Sequence, residues 1–199
     1  MLWTRIALGM VGLAIIYALL AWRATKRPSL RPWHRPLPGE FTATDALADA
    51  TFETYKAIES RLFARLNKLY TSAAPADMTP FNRYYPDGYS NPDAYTFALP
   101  TGCDNWNRSF ELRPDSDRLR GSVLLVHGLS DGPYSMRALA ELFFAQGLHV
   151  TCLRVPGHGT TPGGLLSVTR HDWTAAVEMA AGHVSRIAGP ERPFYLGGY

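Results

Sequence analysis

Cysteine is scarce, with Cys103 and Cys152 the only two in 199 residues. Two cysteines do not settle a redox compartment. Their spacing indicates no disulfide framework, although a 103–152 pair stays possible. Cys152 falls inside an apolar strand pattern and reads as a small buried hydrophobe. Acids are absent from residues 1–35, which hold Arg5, Arg23, Lys26, Arg27, Arg31 and Arg35. Setting those six aside from the 20 bases leaves 14 against 17 acids, a net −3 for the remainder. A nucleic-acid reader carries its positive charge on the folded domain, so that class is excluded. Internal repeats are also lacking.

No charge interrupts Ile6–Trp22, a run of roughly 26 Å as a helix at about 1.5 Å per residue. The hydrocarbon core of a bilayer is roughly 30 Å thick, so the run can span it with Trp3 and Trp22 as interfacial anchors. A cleaved signal peptide is the rival reading, but Ala18-Leu19-Leu20-Ala21 before the bulky Trp22 is a poor cleavage site. The expectation is a single-pass anchor over residues 1–22. Five of the six bases follow the run and favour a cytoplasm-facing domain. Closeness to the N-terminus biases the other way, and the side stays open.

Residues 23–50 read as a basic linker, stiffened by Pro28, Pro32, Pro36 and Pro38. From residue 51 to 106 we expect an amphipathic helix followed by an irregular extension. In the helix, Phe52, Tyr55, Ile58, Leu62, Leu66 and Leu69 recur at helical spacing. Glu53, Lys56, Glu59, Arg61, Arg65 and Lys68 are assigned to the opposite, solvated face. The apolar face must lie on the catalytic domain or on a membrane surface. Residues 71–106 have no clear period beyond a short strand near Tyr95–Leu99.

Regularity begins near residue 107. Strands are expected at Asn107–Leu112, Ser122–Val126, Leu148–Val155 and Phe194–Leu196. Between them lie a helix capped by Ser135, with Met136, Leu139, Ala140 and Phe143 inward and Gly147 as stop, and a second helix. The second opens on a capping box, Thr169 and Asp172, buries Trp173, Ala176, Val177, Ala180, Val184 and Ile187, and stops at Gly189-Pro190. Strands alternating with helices imply an α/β domain with a mostly parallel sheet and helices on both faces. Ligands of such sheets sit at the carboxyl ends of the strands. Those ends are His127-Gly128-Leu129, Pro156-Gly157-His158-Gly159 and Gly197-Gly198-Tyr199.

The stretch LLVHGLSDGPYSMRALAELFFAQGLHVTCLRVPGHGTTPGG, then FYLGGY, resembles the serine α/β-hydrolases of the monoacylglycerol lipase, carboxylesterase and serine aminopeptidase (S33-like) kind. The resemblance covers residues 121–199 and rests on three motifs at family spacing. It implies the N-terminal half of an α/β-hydrolase sheet over residues 107–199, preceded by a transmembrane helix, and acyl transfer to water by a Ser-His-Asp triad. It also implies that the chain stops before the nucleophile, expected directly after Tyr199, and that the fragment alone is inactive, with exposed strand edges.

Within that resemblance, the Leu129 backbone amide is the oxyanion donor, worth roughly 3 kcal/mol to the transition state. Ser130, Asp131 and Tyr134 line the substrate site. His127, Gly128, Gly157, His158, Gly159, Gly198 and Tyr199 support it, His127 by bonding loop backbone. A rival assignment makes Ser130 the nucleophile, since Gly128-Leu129-Ser130-Asp131-Gly132 is a literal G-x-S-x-G. Asp172 and His183 would then have to reach it. The resemblance implies no cofactor, and no metal-ligand spacing accompanies His158. Aspartate enzymes of the same fold usually carry a proline soon after the His-Gly pair, where this chain has Leu129-Ser130-Asp131. Expected partners are a small-molecule or lipid ester and the membrane, with no nucleic acid and no specific protein partner. The alternatives are a serine peptidase, an acyltransferase, or a non-catalytic tethered domain.

Overall fold

The structure, a computed structural model, describes residues 2–26, 35–48, 50–71 and 107–199. The strand expected near Tyr95–Leu99, Cys103, Pro28 and Pro32 lie outside the described residues. The chain divides into two compact units, Met1–Arg31 and Pro32–Tyr199. The first is helix α1, Leu2–Thr25. Its stretch Arg5–Thr25 has a mean hydropathy of 1.9 over its most apolar window and exposes Met10, Leu13 and Tyr17. It is long and apolar enough to cross a membrane, a property shared with signal sequences.

The second unit is an open four-stranded sheet: β1 Phe110–Leu112, β2 Gly121–Val126, β3 Leu148–Leu153 and β4 Phe194–Gly198, in the order β1-β3-β2-β4. β3 and β4 both run parallel to β2, and β1 closes one edge antiparallel to β3. Helices α2 (Ala43–Leu47), α3 (Phe52–Thr71), α4 (Arg137–Ala145) and α5 (Arg170–Ala188) cover the sheet. The alternating pleat sorts the strands' side chains by face. Val123, Leu125, Leu148, Val150 and Cys152 point to one side, where Met136 and Ala140 of the α4 segment pack on them. Leu124 and Leu153 point to the other, onto Ala176, Ala180 and Val184 of α5 together with Phe41, Phe52 and Tyr55. Ser122, facing the same way, donates its hydroxyl to the carbonyl of Val184 at 2.8 Å.

Several local expectations are corrected. Ser135 does not cap α4: it lies in a 3-10 turn over Pro133–Met136, and its hydroxyl bonds the Gly132 carbonyl instead. Leu139, expected inward, is exposed. The helix does end at Gly147, whose φ of 82° places it in the left-handed region. The Thr169–Asp172 capping box is present at the start of α5. Glu59, assigned by its charge to the solvated face of α3, is only 2% exposed. The helix lies on the α/β domain, and a buried arginine on β3's exit faces that turn. Glu40 and Phe41, in the stretch read as linker, also lie inside this unit. β4 pairs with β2 alone among the described residues, leaving Phe194, Tyr195 and Leu196 exposed.

Candidate active site

Sheet order reverses between β3 and β4 on either side of β2, and such switch points open a crevice at the carboxyl ends. Here Val126 of β2 stands in register with Gly198 of β4, so the loop after β2 lies beside the end of β4. The approach is close: a Cβ on Gly198 would stand 2.9 Å from the Val126 carbonyl oxygen, and one on Gly128 would stand 2.8 Å from the Tyr199 ring. A Gly128→Val substitution is therefore expected to push β4 away from the loop. It should lower the unfolding midpoint in urea, and an unchanged midpoint would show that Tyr199 yields freely.

The loop after β2 is a tight turn. The Asp131 amide donates to the Gly128 carbonyl at 3.2 Å, and Ser130 carries the one positive φ outside glycine among the described residues, 68°. Positive φ at the third position only is the geometry of a type II turn. It exposes Leu129 (69%), whose amide donates to no group among the described residues. Asp131 fastens the turn, accepting from the Gly132 amide at 2.9 Å and from the Tyr199 hydroxyl. Burial pushes the Asp131 carboxyl up, but these donors outweigh it and hold the group below its usual range.

His127 is buried and both ring nitrogens serve backbone: Nδ1 meets the Gly128 carbonyl at 2.9 Å, and Nε2 accepts from the Val155 amide at 3.0 Å. The pairing requires the neutral tautomer with hydrogen on Nδ1. Burial lowers its pKa to about 4 from the ordinary 6.5. The unfolded chain thus gains a proton on acidification that the folded chain refuses. Stability is full above about pH 6.5 and falls as pH drops towards 4, by roughly 3 kcal/mol for this one group. Urea unfolding across that range should show the loss, with a shallower slope in His127→Gln. Equal slopes for the two proteins would exclude His127 as the source.

The loop after β3 is Pro156-Gly157-His158-Gly159, with left-handed glycines at φ 83° and 71°. A Cβ on Gly157 would strike Val168 at 2.7 Å. His158 Nδ1 meets the carbonyls of Val155 and Pro156 at 3.2 and 3.1 Å, and its Nε2 is buried without a partner among the described residues. Burial lowers its pKa as well. Beneath this loop lies Arg154, fully buried. Its guanidinium reaches both oxygens of Glu40 at 3.0 and 2.7 Å, Glu59 at 2.9 Å and the His158 carbonyl at 2.9 Å. Glu40 also takes the Gly157 amide at 2.9 Å. Burial raises Glu40, yet Arg154 outweighs that and leaves it lowered; in Glu59 burial prevails and the pKa is raised. Arg154 matches one of the two carboxylates in charge, and Arg108 adds a weaker attraction to Glu59.

Two clefts meet at His158. The more polar one, of about 180 Å³, is lined by Ser130, Asp131, Tyr134, Gly157, His158 and Gly159, six of the residues singled out from the sequence. An apolar one of about 380 Å³ brings His127, Gly128 and Leu129 beside Val126, Val155 and Trp173. Asp172 and His183 do not join Ser130. Asp172 spends its oxygens on the amides of Ala43 and Thr169, and His183 bonds Glu111 at 2.9 Å. Sequence reading missed Arg154, Glu40 and Glu59 in this region. The signal available was a base directly after an apolar strand, where a charge must find buried partners.

No family model matches the chain. Over 60 residues it is 47% identical to the "Thermostable monoacylglycerol lipase" of Bacillus sp. (strain H-257). That stretch is 30% of this chain and 24% of the lipase. A solved structure from work on LipS and LipT, two metagenome-derived lipolytic enzymes, aligns at 32% identity and a TM-score of 0.39. It covers 46% of this chain and 35% of the solved one. The chain thus spans about a quarter to a third of the length of these two relatives.

Proposed function

We propose that the chain is the oxyanion-loop portion of a membrane-anchored serine hydrolase that cleaves carboxylic esters, lipid esters first among them, through an acyl-enzyme. The amide of Leu129, without a bond among the described residues and placed at the switch point beside the end of β4, is the observation that carries this reading. Similarity to a protein named as a monoacylglycerol lipase supports the ester class.

In this mechanism the serine expected after Tyr199 attacks the ester carbonyl while a general base takes its hydroxyl proton. The carbonyl oxygen becomes an oxyanion, to which the Leu129 N–H donates without rearranging. Its collapse expels the alcohol, which takes the proton from that base, and water then releases the acid from the acyl-enzyme by the same two steps. Asp131, by holding Tyr199 and Gly132, sets the loop against the strand end. Ser130, Asp131 and Tyr134 contact substrate in the polar cleft, and His127 and His158 stay neutral and support the two loops. Commitment of Asp172 and His183 to other partners favours Ser130 as a turn residue over Ser130 as nucleophile. Helix α1 would hold the site near a bilayer, where lipid esters reside.

Parallel turnover of p-nitrophenyl esters, a monoacylglycerol and aminoacyl-amides by the complete protein in detergent tests the substrate class. Ester and monoacylglycerol cleavage with little amide cleavage is the expected outcome. Preference for the aminoacyl-amides would make the protein a peptidase.

A further inference from the structure

The other end of the sheet carries a cluster that this chemistry does not use. Glu111 of β1, His149 of β3 and His183 of α5 each turn one ligand atom to a common point. His149 Nε2 lies 3.1 Å and His183 Nε2 2.9 Å from the same oxygen, Glu111 Oε1, and all three atoms fall within 4.8 Å of one another. His149 is buried, and Glu111 and His183 are half-buried. The Phe52 ring stacks on His183 at 4.8 Å, fixing the imidazole plane. Thr151 brings a neutral oxygen to the same place, its Oγ1 3.2 Å from His149 Nε2 and 3.5 Å from Glu111 Oε1.

We propose that Glu111, His149 and His183 bind a divalent late transition-metal ion, Zn²⁺ foremost, which staples β1, β3 and α5 together. Two imidazole nitrogens and one carboxylate oxygen suit zinc. Zinc–nitrogen and zinc–oxygen bonds of about 2.0–2.2 Å place tetrahedral ligand atoms roughly 3.3 Å apart. The two histidine–Glu111 spacings, 3.1 and 2.9 Å, lie near that, and the two imidazole nitrogens, within 4.8 Å of each other, would close on the ion. Thr151 Oγ1 is the oxygen at hand for the fourth position. Binding requires each Nε2 to offer a lone pair, so each histidine carries its hydrogen on Nδ1 in the bound form. His149 pairs with Ser122, four residues before the end of β2, so the ion would sit roughly 16 Å along the strands from the loop at His127. Its role is structural.

Electrostatics supply a discriminating feature. The second oxygen of Glu111 faces two cations, Lys56 at 3.3 Å and Arg113 at 2.7 Å. Both oppose a dication bound on the first oxygen. A staple made only of hydrogen bonds would be weakened by losing Lys56, whereas a metal site gains affinity.

The complete protein in detergent, stripped with EDTA, is titrated with Zn²⁺ against a chromophoric chelator. One equivalent should bind. His149→Gln and His183→Gln should each weaken it at least about tenfold, and Lys56→Met should tighten it by roughly three- to tenfold. Zn²⁺ should also raise the melting temperature of the unsubstituted protein, and raise that of Lys56→Met further, a readout independent of whether the histidine variants fold. No binding in competition with the chelator would overturn the proposal. So would unchanged affinity in the histidine variants, which would move the ion to other side chains, or unchanged or weaker binding in Lys56→Met.

Discussion

Replacing Arg154 with methionine is expected to destabilise the fold by about 3–5 kcal/mol, the cost of leaving buried carboxylates without their counter-charge. Arg154 is fully buried and holds Glu40, Glu59 and the His158 carbonyl at once. Methionine fills similar space but donates nothing. Without the guanidinium both carboxyls would have folded pKa values above those of the unfolded chain. The variant's deficit is then smallest at low pH, where the acids are protonated in both states, and grows as pH rises through the raised values. Urea unfolding at two pH values measures this. Adding Glu40→Gln and Glu59→Gln to the variant should recover part of the loss. A deficit below about 1 kcal/mol, or one independent of pH, would mean that the cluster is solvated in solution.

Leu129→Pro is expected to remove about 10²–10³ from kcat in the complete enzyme while leaving its fold intact. The substitution deletes one N–H and trades an exposed leucyl side chain at the rim of the apolar cleft for a pyrrolidine ring. Leu129 occupies the second position of a turn whose third residue alone has positive φ, and proline is favoured at that second position of type II turns. The lost amide makes no bond among the described residues, so stability should change by less than about 1 kcal/mol. A drop in kcat at unchanged KM and unchanged unfolding midpoint marks an interaction made only in the transition state. Full activity in this variant would take the oxyanion role away from position 129.

Legibility in the sequence followed periodicity. Apolar runs and glycine stops marked β2, β3, β4 and α5 to within a few residues; in β2 the continuous apolar run answers to burial on both faces. The clefts gather residues from the glycine-bearing ends of β2 and β3 that the sequence had already singled out, while Gly197, Gly198 and Tyr199 of the third end line neither. Polar burial was harder to read. Glu59 looks like any charge on an amphipathic helix until Arg154, 95 residues later, is seen to meet it. His149 alternates with Val150 and Thr151 as a strand residue should, and only the fold brings Glu111 and His183 to its ring. Ser135 has the chemistry of a helix cap, yet Pro133 two residues earlier starts a 3-10 turn that takes the serine into it. Long-range pairing decides the first two, and a local proline decides the third.

The central claim is that a nucleophilic hydroxyl works against the amide at position 129. Intact-mass analysis of the complete protein after treatment with a fluorophosphonate measures it most directly. A single covalent adduct, formed more slowly in Leu129→Pro than in the unsubstituted protein, is the predicted result. A folded protein that takes up no adduct, or takes it up equally fast in both forms, would contradict the account.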